Sequence, residues 1–124
     1  MMGPCTLVHC LTAASQVLNR ATMKWIRVQA PPGSIILNVG DYLQRITNDR
    51  YPSTTHRVAP PRDAAQCRCA RTSVPLAVYL NEDVMLTCLP ECGDAKYPPI
   101  SAIDFHTGIT AKYYGDGYRA TGSD

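Results

Sequence analysis

The sequence predicts a mostly β fold with antiparallel, hairpin-like spacing and one or two short helices. Ten Pro and eight Gly are spread along 124 residues, and few apolar runs follow a helical period. Short strands joined by turns produce this pattern, whereas a helical bundle does not. One half of a jelly roll fits the pattern, and so do other β folds, because periodicity alone does not separate them.

Three short strands and one helical turn are expected in the first half of the chain. The strands cover residues 25–30, 34–38 and 54–58, whereas residues 5–20 are weakly patterned. Over residues 25–30, Trp25, Arg27 and Gln29 alternate with the aliphatic Ile26, Val28 and Ala30, which suits a strand with unlike faces. Residues 34–38 are β-rich, and we expect them to be buried on both faces. Asp41 is a candidate N-cap for a helical turn over 43–46.

In the second half we expect one long strand and one helix. The strand covers residues 72–80, where Pro75 indicates an edge position or a bulge. Residues 59–69 and 90–99 are expected to be loops. Ser101 as N-cap, with Asp104 at the third helical position, predicts a helix over 102–114. The polar tail over 115–124 is expected to fray.

Composition narrows the classes of function. A length of 124 residues fits a single domain or part of one, and 45% hydrophobic with 18% charged residues supports a packed core. A net charge of +2 without a Lys/Arg cluster argues against nucleic acid. Without a run of 18 apolar residues a membrane helix is not expected. The first residues lack the basic start of a secretory signal, so we expect a cytoplasmic protein whose six cysteines are mostly reduced.

The residues that indicate chemistry are His56 and, fifteen positions later, the pair Arg71 and Ser73. Two residues apart on a strand, Arg71 and Ser73 point to the same face. The planar guanidinium matches a carboxylate in bidentate fashion, and the hydroxyl adds one donor. An exposed Arg71 that pairs with Asp63 or Glu82 is the plainer alternative.

The order of several segments resembles the C-terminal half of the Fe(II)/2-oxoglutarate-dependent dioxygenases of the isopenicillin N synthase-like superfamily. The segments are Trp25–Val28, Pro32–Asp41, Thr47–Val58 and Arg71–Asn81, so the core of the resemblance covers residues 25–81. The resemblance implies a partial double-stranded β-helix (jelly roll, cupin-like) that acts on a small organic substrate by hydroxylation, desaturation or ring closure. His56 would be an Fe(II) ligand, Arg71 and Ser73 would bind the co-substrate 2-oxoglutarate, and O₂ would be consumed.

The same resemblance implies that two iron ligands do not lie in this sequence. The family's His-x-Asp motif precedes the strand that Gly3–Val8 occupies here, so its Asp would fall at about Met1 and its His before it. His9 lies at a similar place but is followed by Leu11 where a carboxylate is needed. We therefore expect residues 1–124 to be a single incomplete domain that needs a missing N-terminal segment or a partner chain.

Three alternatives stay open. One is a non-catalytic module derived from a β-barrel, and another is an oxidase of the same superfamily that uses no 2-oxoglutarate and clamps a substrate carboxylate with Arg71 and Ser73. The third is a structural zinc site built from four cysteines, with His9 and His106 in reserve. These cysteines are Cys67, Cys69, Cys88 and Cys92.

Overall fold

The structure, a computed structural model, describes residues 7–9, 15–31, 33–60, 63–68, 70 and 75–115. Within these residues the strands are β1 Leu7–His9, β2 Ser15–Asn19, β3 Lys24–Arg27, β4 Ile36–Asn38, β5 His56–Val58, β6 Pro75–Ala77, β7 Met85–Leu86 and β8 Ile100–Ser101. The helices are α1 Asp41–Ile46, α2 Ala64–Cys67 and α3 Ala102–Tyr114, and a 3₁₀ turn covers Pro90–Cys92.

Six of these strands form two three-stranded antiparallel sheets. The first sheet has the order β4-β1-β6 and the second has the order β3-β2-β5, while β7 and β8 pair separately. The chain alternates between the two sheets, because β1, β4 and β6 belong to one and β2, β3 and β5 to the other. This mostly-strand, antiparallel arrangement confirms the predicted mostly β fold, but the described part of the chain has three α-helices where one or two were expected.

Register and exposure show which faces of the sheets oppose each other. The side chains of Asn38 on β4 and His56 on β5 meet between the two sheets, with 3.3 Å between Asn38 Nδ2 and His56 Nδ1. On the opposite face of the first sheet, Leu37 is 71% exposed and Leu76 is 60% exposed. Both residues lie opposite Val8 on β1, so they form one row across the sheet.

The prediction that residues 34–38 are buried on both faces is therefore wrong. Ile35 and Leu37 are each 71% exposed, whereas Ile36 and Asn38 are half-buried. The run is β-rich, as a buried strand would be, but only one face of this sheet is covered by the other sheet in the described part of the chain.

The buried core lies where α1, β7, β8 and α3 meet. Among the described residues its buried members are Tyr42, Leu86 and Ala102, and the half-buried side chains of Ile46, Ile100 and Phe105 pack around them. Backbone bonds join these elements, since Ala102 N donates to Val84 O at 2.8 Å and Leu89 N donates to Ile46 O at 2.8 Å.

The first residues of α3 and α1 show where local sequence signals predicted the N-cap correctly and where they did not. Helix α3 covers Ala102–Tyr114 as predicted, and Ser101 Oγ accepts a hydrogen bond from Asp104 N at 3.1 Å. In α1 the N-cap is Gly40 rather than Asp41, so that prediction is wrong. Gly40 has an extended backbone, and Asp41 becomes the first helical residue, where its carboxylate complements the helix dipole.

The remaining expectations have mixed outcomes. Pro75 begins β6, which is an edge strand of the first sheet as described, so the edge interpretation is confirmed. The predicted loop over 59–69 contains α2, whose Ala65 N donates to Asp63 Oδ1 at 2.9 Å. Strand β2 lies within residues 5–20, where the sequence pattern is weak.

The tail over 116–124 lies outside the described residues. Among the described helices, none has the length and apolar character needed to cross a membrane.

Candidate metal-ligand site

His56 opens strand β5 and is half-buried on the face that meets the first sheet. Its Nδ1 lies 3.0 Å from the carbonyl oxygen of Thr54 and 3.3 Å from Asn38 Nδ2. Because a carbonyl oxygen only accepts, Nδ1 carries the proton in the bond to Thr54. The Asn38 amide can direct its oxygen to the same proton by a flip, since its two ends are assigned from such networks. This tautomer places the imidazole lone pair on Nε2.

The strand that carries His56 has two different faces. Arg57, the next residue, points to the outer face, where its guanidinium carbon lies 4.0 Å from the ring centre of Trp25. Its Nε donates to Gln16 Oε1 at 2.9 Å. Arg57 thus fastens β5 to β2 and β3 from outside while His56 faces the first sheet, as the alternation of a strand requires.

The turn that leads into β5 is built on Asn48 and Asp49, both with positive φ. Asp49 accepts hydrogen bonds from Tyr97 Oη at 2.8 and 2.9 Å, from Gln44 Nε2 at 2.9 Å and from Lys96 Nζ at 3.1 Å. The Tyr97 hydroxyl, followed by Gln44 and Lys96, lowers the pKa of Asp49. The hydrogen bond to the Asp49 carboxylate raises the pKa of Tyr97 in turn. The carboxylate therefore stays ionised at neutral pH.

The predicted 2-oxoglutarate ligands Arg71 and Ser73 lie outside the described residues. The structure neither brings them to His56 nor separates them from it, so their role stays a prediction. In the same way the side chain of His9 is not described, although its backbone pairs with Ile36 and Pro75 in the first sheet.

Within the described part of the chain, no three or more His, Cys, Asp or Glu side chains lie close enough to hold a metal ion. The described residues therefore do not include a complete iron triad, of which His56 is the one member predicted in this sequence. They do not form the alternative cysteine site for zinc either, as far as its residues are described. Cys67 is exposed, whereas Cys88 and Cys92 are half-buried. Cys69 lies outside the described residues.

Sequence reasoning missed the residues that orient His56. Asn38 and the Thr54 carbonyl contact the imidazole, and Gln44 and Tyr97 hold the preceding turn through Asp49. Every residue has a backbone carbonyl, so the sequence does not show which one contacts His56. The Asn48-Asp49 pair is a turn signal, because Asn and Asp tolerate positive φ. It could have indicated these two residues as the turn whose side chains hold the loop before β5.

Residues 6–78, more than half of the chain, match the model of the 2OG-Fe(II) oxygenase superfamily. The chain belongs to this superfamily.

Curated and solved relatives agree with this family. The 2-oxoglutarate-Fe(II) type oxidoreductase hxnY of Emericella nidulans is 36% identical over 104 residues, covering 81% of this chain and 28% of the relative. A 2OG-Fe(II) oxygenase family protein of Caulobacter crescentus superposes with a TM-score of 0.77 at 31% identity, covering 90% of this chain and 38% of that one. A Neurospora crassa protein, solved in complex with alpha-KG and thymine, has a TM-score of 0.72 at 19% identity. The match covers 90% of this chain and 36% of the Neurospora protein, and at this identity it supports the fold alone.

Proposed function

We propose that this chain is the C-terminal part of the catalytic domain of an Fe(II)- and 2-oxoglutarate-dependent oxidoreductase that acts on a small organic molecule. Hydroxylation, desaturation and ring closure all lie within this proposal. The chain spans 28% of the length of hxnY and 38% of the Caulobacter protein. A further segment of the same protein, or a partner chain, would therefore supply the remaining parts of a double-stranded β-helix.

The observation that carries the proposal is the bond between His56 Nδ1 and the Thr54 carbonyl. Ligand histidines in metalloproteins commonly donate one ring N–H to a carbonyl or carboxylate, which fixes the ring and presents the other nitrogen to the metal. His56 therefore fits one position of a two-histidine, one-carboxylate site. When bound, ferrous iron in such a site supplies open positions at which a co-substrate and O₂ react.

The chain's own residues would divide the binding work. His56 would hold the metal through Nε2, and Arg71 with Ser73 would bind the distal carboxylate of 2-oxoglutarate. A second histidine and a carboxylate would come from outside the described residues, because one imidazole binds ferrous iron weakly. A cytoplasmic location also stays a prediction, which fractionation of cells that express the tagged protein would test.

The test is an anaerobic titration with Fe(II) and 2-oxoglutarate, monitored by the weak visible metal-to-ligand charge-transfer band. It is run on the 124-residue chain and on a form extended upstream through its reading frame. The proposal expects a band in the extended form that His56→Ala abolishes and His106→Ala keeps. His106 is a suitable control, because it lies on α3 and packs edge-on against Tyr79.

Other outcomes separate the alternatives. No band in either form would overturn the proposal in favour of a non-catalytic module. Iron binding without any response to 2-oxoglutarate would favour the oxidase that clamps a substrate carboxylate. Arg71→Leu is expected to raise the Kd for 2-oxoglutarate and to leave the affinity for Fe(II) unchanged.

A further inference from the structure

One side chain closes the loop between α1 and the strand that carries His56. Gln44 on α1 donates through Nε2 to Asp49 Oδ1 at 2.9 Å and accepts through Oε1 from Ser53 N at 2.6 Å. A single half-buried amide therefore holds both ends of the stretch from residue 49 to residue 53. Since an amide offers both a donor and an acceptor, glutamine is suited to this double contact.

Asp49 is in turn fastened to the C-terminal part of the chain. Tyr97 Oη lies 2.8 and 2.9 Å from the two carboxylate oxygens, and Lys96 Nζ lies 3.1 Å from Oδ2. The Tyr97 ring is itself fixed, because the guanidinium carbon of Arg45 lies 5.0 Å from its centre. Arg45 Nη2 also donates to Pro98 O at 2.7 Å, which joins α1 to the same segment a second time.

Ser53 is held from the other side as well. Arg20 Nη2 donates to Ser53 O at 2.7 Å, and Leu18 N donates to Thr55 O at 2.8 Å. Both backbone polar groups of Ser53 are therefore fixed. The next residue, Thr54, supplies the carbonyl that bonds His56 Nδ1.

We propose that Gln44, Asp49 and Tyr97, together the Gln44 clamp, are positioning residues that set the orientation and tautomer of the His56 ring. The clamp acts through Ser53, since a shift of Ser53 moves the Thr54 carbonyl and with it the proton on Nδ1. The value of this orientation for metal binding rests on the proposed function, whereas the orientation itself can be measured without metal.

The decisive experiment compares Gln44→Leu with the unmodified chain in the absence of metal. Imidazole nitrogens are labelled with ¹⁵N, and the tautomer of His56 is recorded at one fixed alkaline pH for all variants. His56→Ala identifies the resonance. In the unmodified chain we expect the proton to stay on Nδ1. In Gln44→Leu we expect a mixture of tautomers and about tenfold faster amide exchange at Ser53, the order expected when one hydrogen bond is lost.

Ser101→Ala is the matched control. It removes the Oγ that caps α3 by accepting from Asp104 N, so it loosens the fold without touching the loop before His56. We expect it to leave the His56 tautomer and the Ser53 exchange rate unchanged. Equal changes in Ser101→Ala and Gln44→Leu would overturn the proposal, because they would report general loosening.

Two further variants keep the test decisive if Gln44→Leu does not fold. Tyr97→Phe retains the ring and removes only the hydroxyl that bonds Asp49, so a smaller shift in the same direction is expected. In the double variant Gln44→Glu with Asp49→Asn, residue 49 donates the hydrogen bond and residue 44 accepts it. We expect this variant to keep the proton on His56 Nδ1, as in the unmodified chain. A His56 tautomer in Tyr97→Phe that is identical to that of the unmodified chain would refute the clamp, and so would an identical tautomer in Gln44→Leu when that variant folds. Since no metal is present, that result would leave the proposed function untouched.

Discussion

Replacing Leu86 by Ala tests whether the small core at the helical end holds the fold together. Leu86 is 2% exposed and packs in the cluster with Tyr42 and Ala102. Removing its side chain beyond Cβ forfeits about 2.5 kcal/mol of transfer free energy, at roughly 0.8 kcal/mol for each buried carbon group. The cavity adds to this loss, so we expect about 3 kcal/mol, within the range for such core substitutions.

Urea unfolding followed by tryptophan fluorescence measures this loss, because Trp25 is the one tryptophan in the sequence and lies on β3, away from the core. We expect a lower midpoint with an unchanged dependence on urea. Leu76→Ala is the matched control, since Leu76 is 60% exposed on the first sheet and its loss should cost under about 0.5 kcal/mol. A loss below about 1 kcal/mol for Leu86→Ala would refute the reasoning about the core. An equal loss for Leu76→Ala would mean that the outer face of the first sheet is covered in solution.

Three further predictions concern α3 and the turn before β5. Gly108→Ala should stabilise the chain by about 1 kcal/mol, because Gly108 is helical and, among the described residues outside its own helix backbone, an added Cβ meets no heavy atom within 4 Å; a lower Tm in a thermal melt would contradict this. Ser101→Ala should cost about 1 kcal/mol in the same melt, since the α3 cap is lost, and an unchanged Tm would mean that the cap is not formed. The pKa of Asp49 is lowered in the folded chain, first by the Tyr97 hydroxyl. Its contribution to stability is therefore present above the unfolded pKa of about 3.9 and lost as pH falls through the folded value. Unfolding measured between about pH 5 and pH 2 should show this loss, and Tyr97→Phe should flatten it; identical slopes would argue against the hydroxyl as the main cause.

Local signals predicted part of the fold, and non-local pairing accounts for what they missed. The cap of α3 lies within four consecutive residues, Ser101 to Asp104, so the sequence shows it directly. Strand β2 was missed because its stability comes from pairing with β3 and β5, and β5 is far from it in the sequence. The wrong burial predicted for Ile35 and Leu37 has the same origin, since coverage of a sheet face depends on which other elements pack against it.

The candidate site was also predictable only in part, because its non-local contacts do not show in the sequence. His56 follows from a sequence order that resembles a known family, but its orienting partner at Thr54 is a backbone carbonyl. The contact between Asp49 and Tyr97 joins residues 48 positions apart, so no pattern of spacing reveals it. Arg71 and Ser73, predicted from the same order of segments, stay predictions.

Helix α1 connects the part of the chain that is most buried with the part that carries the candidate ligand. Tyr42 and Gln44 are two residues apart on this short helix and so project to different sides. Tyr42 enters the core with Leu86 and Ala102, whereas Gln44 reaches the loop before His56. If the Gln44 clamp sets the His56 ring, then a substitution that displaces α1 changes the core and the ring together. Leu86→Ala should therefore disturb the His56 tautomer, whereas Ser101→Ala, which removes the cap of α3 and no core side chain, should not.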